Sequence, residues 1–502
     1  MRFTSLIVEL VRARPRLIFW IAVLLPAALW FFLPVLFYGS PPGDVATVLD
    51  FGREYQVGTT KGPPFAFWLA DIAFRLAGGH MFGVYLLAQA CSVVTLWALF
   101  MLGSAIVGPQ QAVLAAMLTA TITVFSFPGV EFGPDVLARP LWALTLLHAW
   151  RVMGQGRRNA WFALSIEIGL LFLTTHAAIP LIALLIGFAL ATKRGRETLT
   201  SFDPLLGAVV IAVLVLPYLV WVVRADALAL PQLPTVDALG ARILSWGMLF
   251  GGLVLALTGI ALLLIFNSRL LNRKPEDAPA VFRAPLDPFA RDFVYTFACL
   301  PPLLLSLLGA LFGQGRVFGG DGVALVMPGL AVIVAAGDLI YLRRQDILRT
   351  IWLLLILAPA VVMIGAILIQ PWISRSEMRT ALPATAIGEF FGDSYQRRVN
   401  QPLPAVAGDR RLVELIGFAA PSRPHVFFDE TPAETPWLTP AKFTESGGLV
   451  GWRAEDTAGT PPPELLQRFP GLVPEVPRAF NRLVNGRLQQ LRIGWAVVRP
   501  KS

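Results

Sequence analysis

Few side chains in this sequence are able to do chemistry, and they cluster. The stretch GDVATVLDFGREYQVGTTKGPPFAFWLADIAFRLAGG, from Gly43 to Gly79, holds Asp44, Asp50, Arg53, Glu54 and Lys61 in a chain with only 15% charged residues. Asp44 follows Gly39, Pro41, Pro42 and Gly43, which end an apolar helix. A carboxylate at such a boundary stays ionised and can take a proton from an incoming hydroxyl. The same position equally suits an N-cap for a helix over Val45 to Gln56, worth about 1 kcal/mol. Lys61 precedes the rigid turn Gly62, Pro63, Pro64; there it can meet a lipid-linked phosphate as a point charge or simply snorkel at the interface. A second acidic group, Glu131 and Asp135 around Gly133 and Pro134, opens a later apolar run. Asp135 either faces the same cavity as Asp44 or places its charge at a helix N-terminus. Arg316 lies in the glycine-rich GQGRVFGGDG, where it suits bidentate phosphate binding or anchoring.

The elements that must hold these residues are membrane spans. Hydrophobic residues make up 56% of the chain and the mean hydropathy is +0.66, far from a soluble domain. Apolar runs of about 17–25 residues recur up to Pro371, the length needed to cross a bilayer. The first, Leu17 to Phe37, lacks a small-residue cleavage site and reads as a retained span. We count about eleven runs, among them Val136 to Trp150, Ala177 to Ala191, Val323 to Tyr341 and Ile351 to Pro371. Arg2, Arg12, Arg14 and Arg16 put the N-terminus in the cytoplasm, and the basic loops at Arg151/Arg157/Arg158, Lys193/Arg194/Arg196, Arg269/Arg273/Lys274 and Arg343/Arg344/Arg349 fall on that side too. The Gly43–Gly79 loop and the C-terminus then lie outside. Phe65 to Ala77 is too short to span and reads as an interfacial helix with an Asp71–Arg75 pair and Trp68 at the boundary.

Beyond Pro371 the composition becomes that of a soluble domain. HVFF (His425 to Phe428) and IGWAVV (Ile493 to Val498) read as buried strands and Arg411 to Ala420 as a helix. The expected fold is thus an all-α polytopic membrane region, residues 1–371, and a small α/β domain, residues 372–502. The proline-rich Asn267 to Asp292 reads as irregular. Cys91 and Cys299 sit in apolar runs and argue for no disulfide or metal site; His80, His148 and His176 have no metal-ligand spacing. Glu167, His148 and Asp338 are the ionisable residues expected within spans, where such groups are functional candidates by default. In the outer domain Asp409, Arg410, Arg411, His425, Asp429 and Glu430 either contact an acceptor or are solvated surface charge. The net charge of +9 is concentrated in short loops, which points to topology and lipid headgroups and away from nucleic acid.

Taken in order, these features resemble the GT-C membrane glycosyltransferases, the group that holds the aminoarabinose transferases of lipid A, related galacturonosyltransferases and the protein O-mannosyltransferases. The family pattern is an Asp opening the first external loop, a basic residue before Pro-Pro, an aromatic interfacial helix and then Phe-Gly. Asp44, Lys61, Pro63, Pro64, Phe67, Trp68, Phe82 and Gly83 follow it. Asp135 after Pro134, and Arg316 followed by Pro328 inside the next run, are similar to two later family features. Val45 stands where many relatives have Glu, and Gly62 is inserted before the prolines. The resemblance implies an inverting transfer from a polyprenyl-phosphate sugar to a hydroxyl of lipid A, another glycolipid, a glycan or a protein, on the periplasmic face of a bacterial inner membrane. It implies Asp44 as base, with Asp135 beside it, and Lys61 with Arg53 or Arg316 on the leaving phosphate, Glu131 being a further substrate contact. The leaving group does not demand a metal, and the sequence does not decide whether a divalent ion takes part. The rival expectations are a flippase of a lipid-linked sugar and a non-catalytic scaffold.

Overall fold

Apolar length decides the membrane helices. The computed structural model describes residues 3–127, 130–225, 239–268, 280–374, 377–428, 431–454 and 456–501. Among them, six helices are long and apolar enough to cross a bilayer: Pro15–Phe37, Phe82–Ile106, Asp203–Arg224, Leu239–Ala256, Pro288–Leu311 and Gln345–Ile373. A seventh candidate, Ala178–Ala191, breaks by 109° into the short basic helix Lys193–Leu199. The chain is a multi-pass membrane protein. The run expected over Ile243 to Phe266 divides into Leu239–Ala256 and Thr258–Asn267, that over Trp161 to Thr175 forms the shorter helix Ala160–Phe172, and Pro134–Met153 is a full 20-residue helix that also carries Asp135, Arg139 and Arg151.

The run expected over Val323 to Tyr341 is not one helix. It divides into Asp321–Ala324, Pro328–Ala335 and strand β2, Leu339–Tyr341. Pro328 has no N–H to give to Ala324 O, so it cannot continue the first helix and instead opens the second, and Gly337 at φ +92° ends the second helix. Strand β1, Ala280–Phe282, pairs antiparallel with β2, Val281 opposite Ile340. A three-residue strand leaves no period to read, which is why Asn267 to Asp292 reads as irregular. Asp338, expected inside a span, lies beside this ribbon and accepts a hydrogen bond from Arg283 Nε at 3.0 Å. Arg269, Arg273, Lys274, Asp429 and Glu430 lie outside the described residues.

The chain divides into two compact units. The first comprises residues 1–31, 62–65 and 86–360. In it Ala160–Phe172 packs against both Pro134–Met153 and Asp203–Arg224, Leu239–Ala256 against Pro288–Leu311, and Pro328–Ala335 against Pro109–Ala120. Trp142, Phe293 and Phe297 are fully buried there.

The second unit comprises residues 32–61, 66–85 and 361–502. Its five-stranded sheet has the order β4-β3-β5-β7-β6, with β3 Ala405–Gly408, β4 His425–Phe428, β5 Gly448–Arg453, β6 Arg478–Phe480 and β7 Leu491–Val498. β3 pairs parallel with β4 and β5, while β7 runs antiparallel to β5 and β6. The short apolar runs form strands because each is wholly or largely buried, with Phe427, Val450, Trp452 and Ala496 in one core. Helix Arg410–Ala419 covers the sheet, and helix Val45–Arg53 packs on that helix.

Candidate active site

The turn before helix Val45–Arg53 sets the position of Asp44. Gly39 and Ser40 donate backbone hydrogen bonds to Thr380 O, at 2.8 and 3.4 Å, and the Ser40 hydroxyl donates to Arg379 O. Gly43 then turns at φ +56°, where a side chain would be strained. Asp44 occupies the N-cap position, yet its side chain makes no capping hydrogen bond. Its carboxylate is 87% exposed and 3.5 Å from Arg379 Nη1, which also donates to Gly43 O at 2.8 Å. The side chain therefore does not serve as a cap; it is an open carboxylate beside a cation. Arg379, Arg411 and Arg453 together with Glu377 and Glu414 line a cleft against Ser40, Pro41, Gly43 and Ala46.

Lys61 enters a relay of charges in the same unit. Its Nζ lies 2.9 Å from Glu434 Oε2, and Arg410 bridges Glu434 at 3.1 Å and Glu414 at 3.0 Å. Glu414 in turn accepts from the Thr47 hydroxyl at 2.7 Å, so the relay returns to the helix that follows Asp44. Burial pushes the Glu434 carboxyl up, but hydrogen bonds from Lys61 and Arg410 outweigh it and hold the group below its ordinary value.

The expected Asp71–Arg75 pair is present at 2.6 Å, but Asp71 is fully buried and not on an open helix face. It also accepts from Tyr55 Oη at 3.0 Å and Arg423 Nη2 at 3.1 Å. Arg423 donates to Leu49 O as well, at 3.1 Å. Arg53 turns inward, with a buried Nη1 that has no hydrogen-bond partner. Asp50 is completely buried, and that burial, reinforced by Glu414 and Glu54 against the opposing pull of Arg423 and Arg53, raises its carboxyl well above the ordinary value. His425, outside the sheet core, pairs with Glu54 at 2.7 Å.

The first unit holds the other candidates. Gly133 caps helix Pro134–Met153 and Pro134 opens it, so Asp135 is in the first turn and is not the cap. Asp135 Oδ2 accepts from Arg316 Nη1 at 3.1 Å. The glycines of the Arg316 loop make this approach possible. A Cβ on Gly320, at φ +88°, would stand 2.9 Å from Asp135 Cγ, and one on Gly322 would stand 2.3 Å from Arg139 Nε. Arg139 is buried, donates to Val124 O at 3.3 Å and leaves Nε without a partner. Glu131 is exposed just ahead of this helix. Among the described residues, no group of three or more His, Cys, Asp or Glu is placed to hold a metal. His148 and Glu167 pair at 2.8 Å, with Arg151 on the other ring nitrogen at 2.9 Å, and His176 meets Tyr218 Oη at 2.9 Å.

Thus Asp44, Arg53 and Lys61 belong to one unit, and Glu131, Asp135 and Arg316 to the other. Sequence reasoning missed Arg379 and Glu434, and it read Arg410 as an acceptor contact or surface charge, not as the bridge between Glu434 and Glu414. No local pattern marks them; only their opposite charge to Asp44, Glu414 and Lys61 hints at pairing.

Residues 61–221 match the family described as dolichyl-phosphate-mannose-protein mannosyltransferase. No curated protein sequence matches the chain. Among solved structures, ArnT from Cupriavidus metallidurans bound to undecaprenyl phosphate is similar at a TM-score of 0.56 and 14% identity, over 96% of this chain and 99% of that one. The apo structure of the same protein gives 0.56 and 13%, over 96% and 98%. Over nearly its whole length, the chain has the GT-C fold of the ArnT-like membrane glycosyltransferases.

Proposed function

We propose that this chain is a membrane glycosyltransferase that moves a sugar from a polyprenyl-phosphate donor to a hydroxyl acceptor, with inversion, on the periplasmic face of a bacterial inner membrane. The near full-length likeness to ArnT, whose structure is described as bound to undecaprenyl phosphate, and the mannosyltransferase match over residues 61–221 support the class. The observation that carries the mechanism is the exposed, uncapped Asp44 carboxylate held beside Arg379.

Asp44 takes the proton from the acceptor hydroxyl as its oxygen attacks the anomeric carbon. The bond from that carbon to the phosphate oxygen breaks, and the phosphate leaves with the electron pair. Lys61 stabilises the charge that grows on the leaving phosphate, exchanging Glu434 for it, and Arg379 stands beside the Asp44 carboxylate at 3.5 Å. Arg53 is a weaker candidate for the phosphate because it turns inward. Asp135, Glu131 and Arg316 form a second polar group that contacts donor or acceptor. Lipid A, another glycolipid, a glycan or a protein each offers a suitable hydroxyl.

The test is transfer of radiolabelled sugar from polyprenyl-phosphate donors to a lipid and protein extract in membranes holding wild type or Asp44→Asn. Losing a general base should lower transfer by about 10²–10⁴-fold while the unfolding temperature stays put. Equal transfer by both chains would remove Asp44 from the mechanism. No transfer by wild type, with labelled lipid crossing the bilayer, would replace this reading with a flippase.

A further inference from the structure

A polar cavity lies far along the chain from Asp44, in the first unit, and nothing above uses it. Its volume is about 440 Å³, and Arg157, Arg158, Trp161, Arg194, Thr198 and Ser201 are among its lining residues. Its floor is built by ion pairing. Asp203 accepts two hydrogen bonds from Arg158, at 2.7 and 3.0 Å, and one from Ser201 at 3.2 Å, while Arg194 pairs with Asp287. Glu197 adds one more negative charge to the wall. Among the described residues Arg157 makes no side-chain ion pair, and it is exposed. The lining thus sets three guanidiniums against the carboxylates of Glu197 and Asp203, and Arg157 is the guanidinium that makes no ion pair among the described residues.

Its depth is set by the helices around it. Asp203 is the first residue of the span Asp203–Arg224, and the 109° break after Ala191 turns Lys193–Leu199 away from its apolar partner. Such a basic helix at the end of an apolar one lies at headgroup level. Phe162, Phe202, Leu205 and Leu206, beside the lining residues in sequence, are 63–80% exposed, an apolar flank that suits acyl chains. A polar pocket of net positive character at the end of a span, with an apolar surface leading from it, matches a molecule with one negative charge and two hydrocarbon tails.

We infer that this cavity binds the phosphodiester headgroup of an anionic phospholipid, with Arg157 as the cation that meets the phosphate, the Thr198 and Ser201 oxygens, whose O–H groups are donated within the protein, accepting from hydroxyls of the headgroup and Trp161 packing at the interface. The site lies on the side of the membrane that carries the basic loops, and its occupancy is independent of sugar transfer.

The experiment uses the full chain purified in detergent. Native mass spectrometry counts retained lipid, and the unfolding temperature is followed, as phosphatidylglycerol, phosphatidylcholine or soluble glycerol phosphate is added. Phosphatidylglycerol should be retained and should raise the unfolding temperature. Arg157→Gln should weaken retention about fivefold, the value of one basic contact at a charged surface. Arg196→Gln, on the short helix Lys193–Leu199 whose Arg194 and Thr198 line the cavity but itself not a lining residue, should leave it unchanged; Ser201→Ala supplies a second variant that keeps every charge and should also weaken it. Equal retention of phosphatidylcholine, unchanged retention in Arg157→Gln, or a full temperature rise with glycerol phosphate alone would each overturn the assignment, the last in favour of a soluble phosphate ester.

Discussion

Single carboxylates in the second unit have opposite environments, and each predicts its own response to pH. Asp50 is buried with its carboxyl raised, so its contribution to stability is fully present below the ordinary carboxylate value of about 4 and is lost as pH rises through the raised value. Asp50→Asn should therefore stabilise the protein at pH 7 and flatten the fall in unfolding temperature above pH 4. Glu377 is the reverse case. Burial raises it, but hydrogen bonds from Arg482 and Arg453, at 2.7 and 2.5 Å, win and hold it below its ordinary value. Its contribution is present above about pH 4.3 and is lost as pH falls through the depressed value. Glu377→Gln should cost about 2 kcal/mol at pH 7, read by denaturant unfolding of the detergent-solubilised chain, and remove part of the acid sensitivity. Glu434 raises a catalytic question, since it occupies the Lys61 ammonium that the proposed donor phosphate needs. Glu434→Gln should lower the KM for donor about two- to fivefold, the range of a half-exposed ion pair, in initial-rate measurements. A rise in KM would instead give Glu434 the task of positioning Lys61.

Elements explain which of these residues were legible beforehand. The strands at HVFF and IGWAVV, the helix after Asp409 and the helix Phe65–Leu76 all appear where the local pattern places them, because burial of one face dictates the residue types there. The β1–β2 ribbon and the break at Pro328 carried no such pattern, the first being too short and the second masked by continuous apolar residues. The glycine-rich loop around Arg316 was legible as a run of glycines, but the side chains its backbone approaches were not. Those side chains are Asp135 and Arg139, and their closeness predicts that Gly320→Ala costs more than the roughly 1 kcal/mol of an ordinary glycine substitution. The left-handed φ and the contact with Asp135 act together. Urea titration should show this loss, and Gly315→Ala, at φ +66° with no neighbour within 4 Å, separates the backbone strain from the clash.

At the scale of the molecule, the class of fold was legible from apolar run lengths and loop charges, since a bilayer imposes both. The partners of Asp44 and Lys61 were not, because a contact across hundreds of residues leaves no local trace. Those long separations also govern how the protein is made. The second unit is assembled from three stretches of chain, residues 32–61, 66–85 and 361–502. Asp71 meets Arg423 across 352 residues, and at about 10 residues per second the ribosome needs roughly half a minute to bridge that interval. Until then Asp71 and Asp50 have no arginine from the last segment to bury against, and Asp44 has no Arg379. The nascent protein cannot acquire its proposed catalytic arrangement span by span as it inserts. The loop that carries Asp44, Asp50 and Asp71 must wait open until Arg379 and Arg423 have been made.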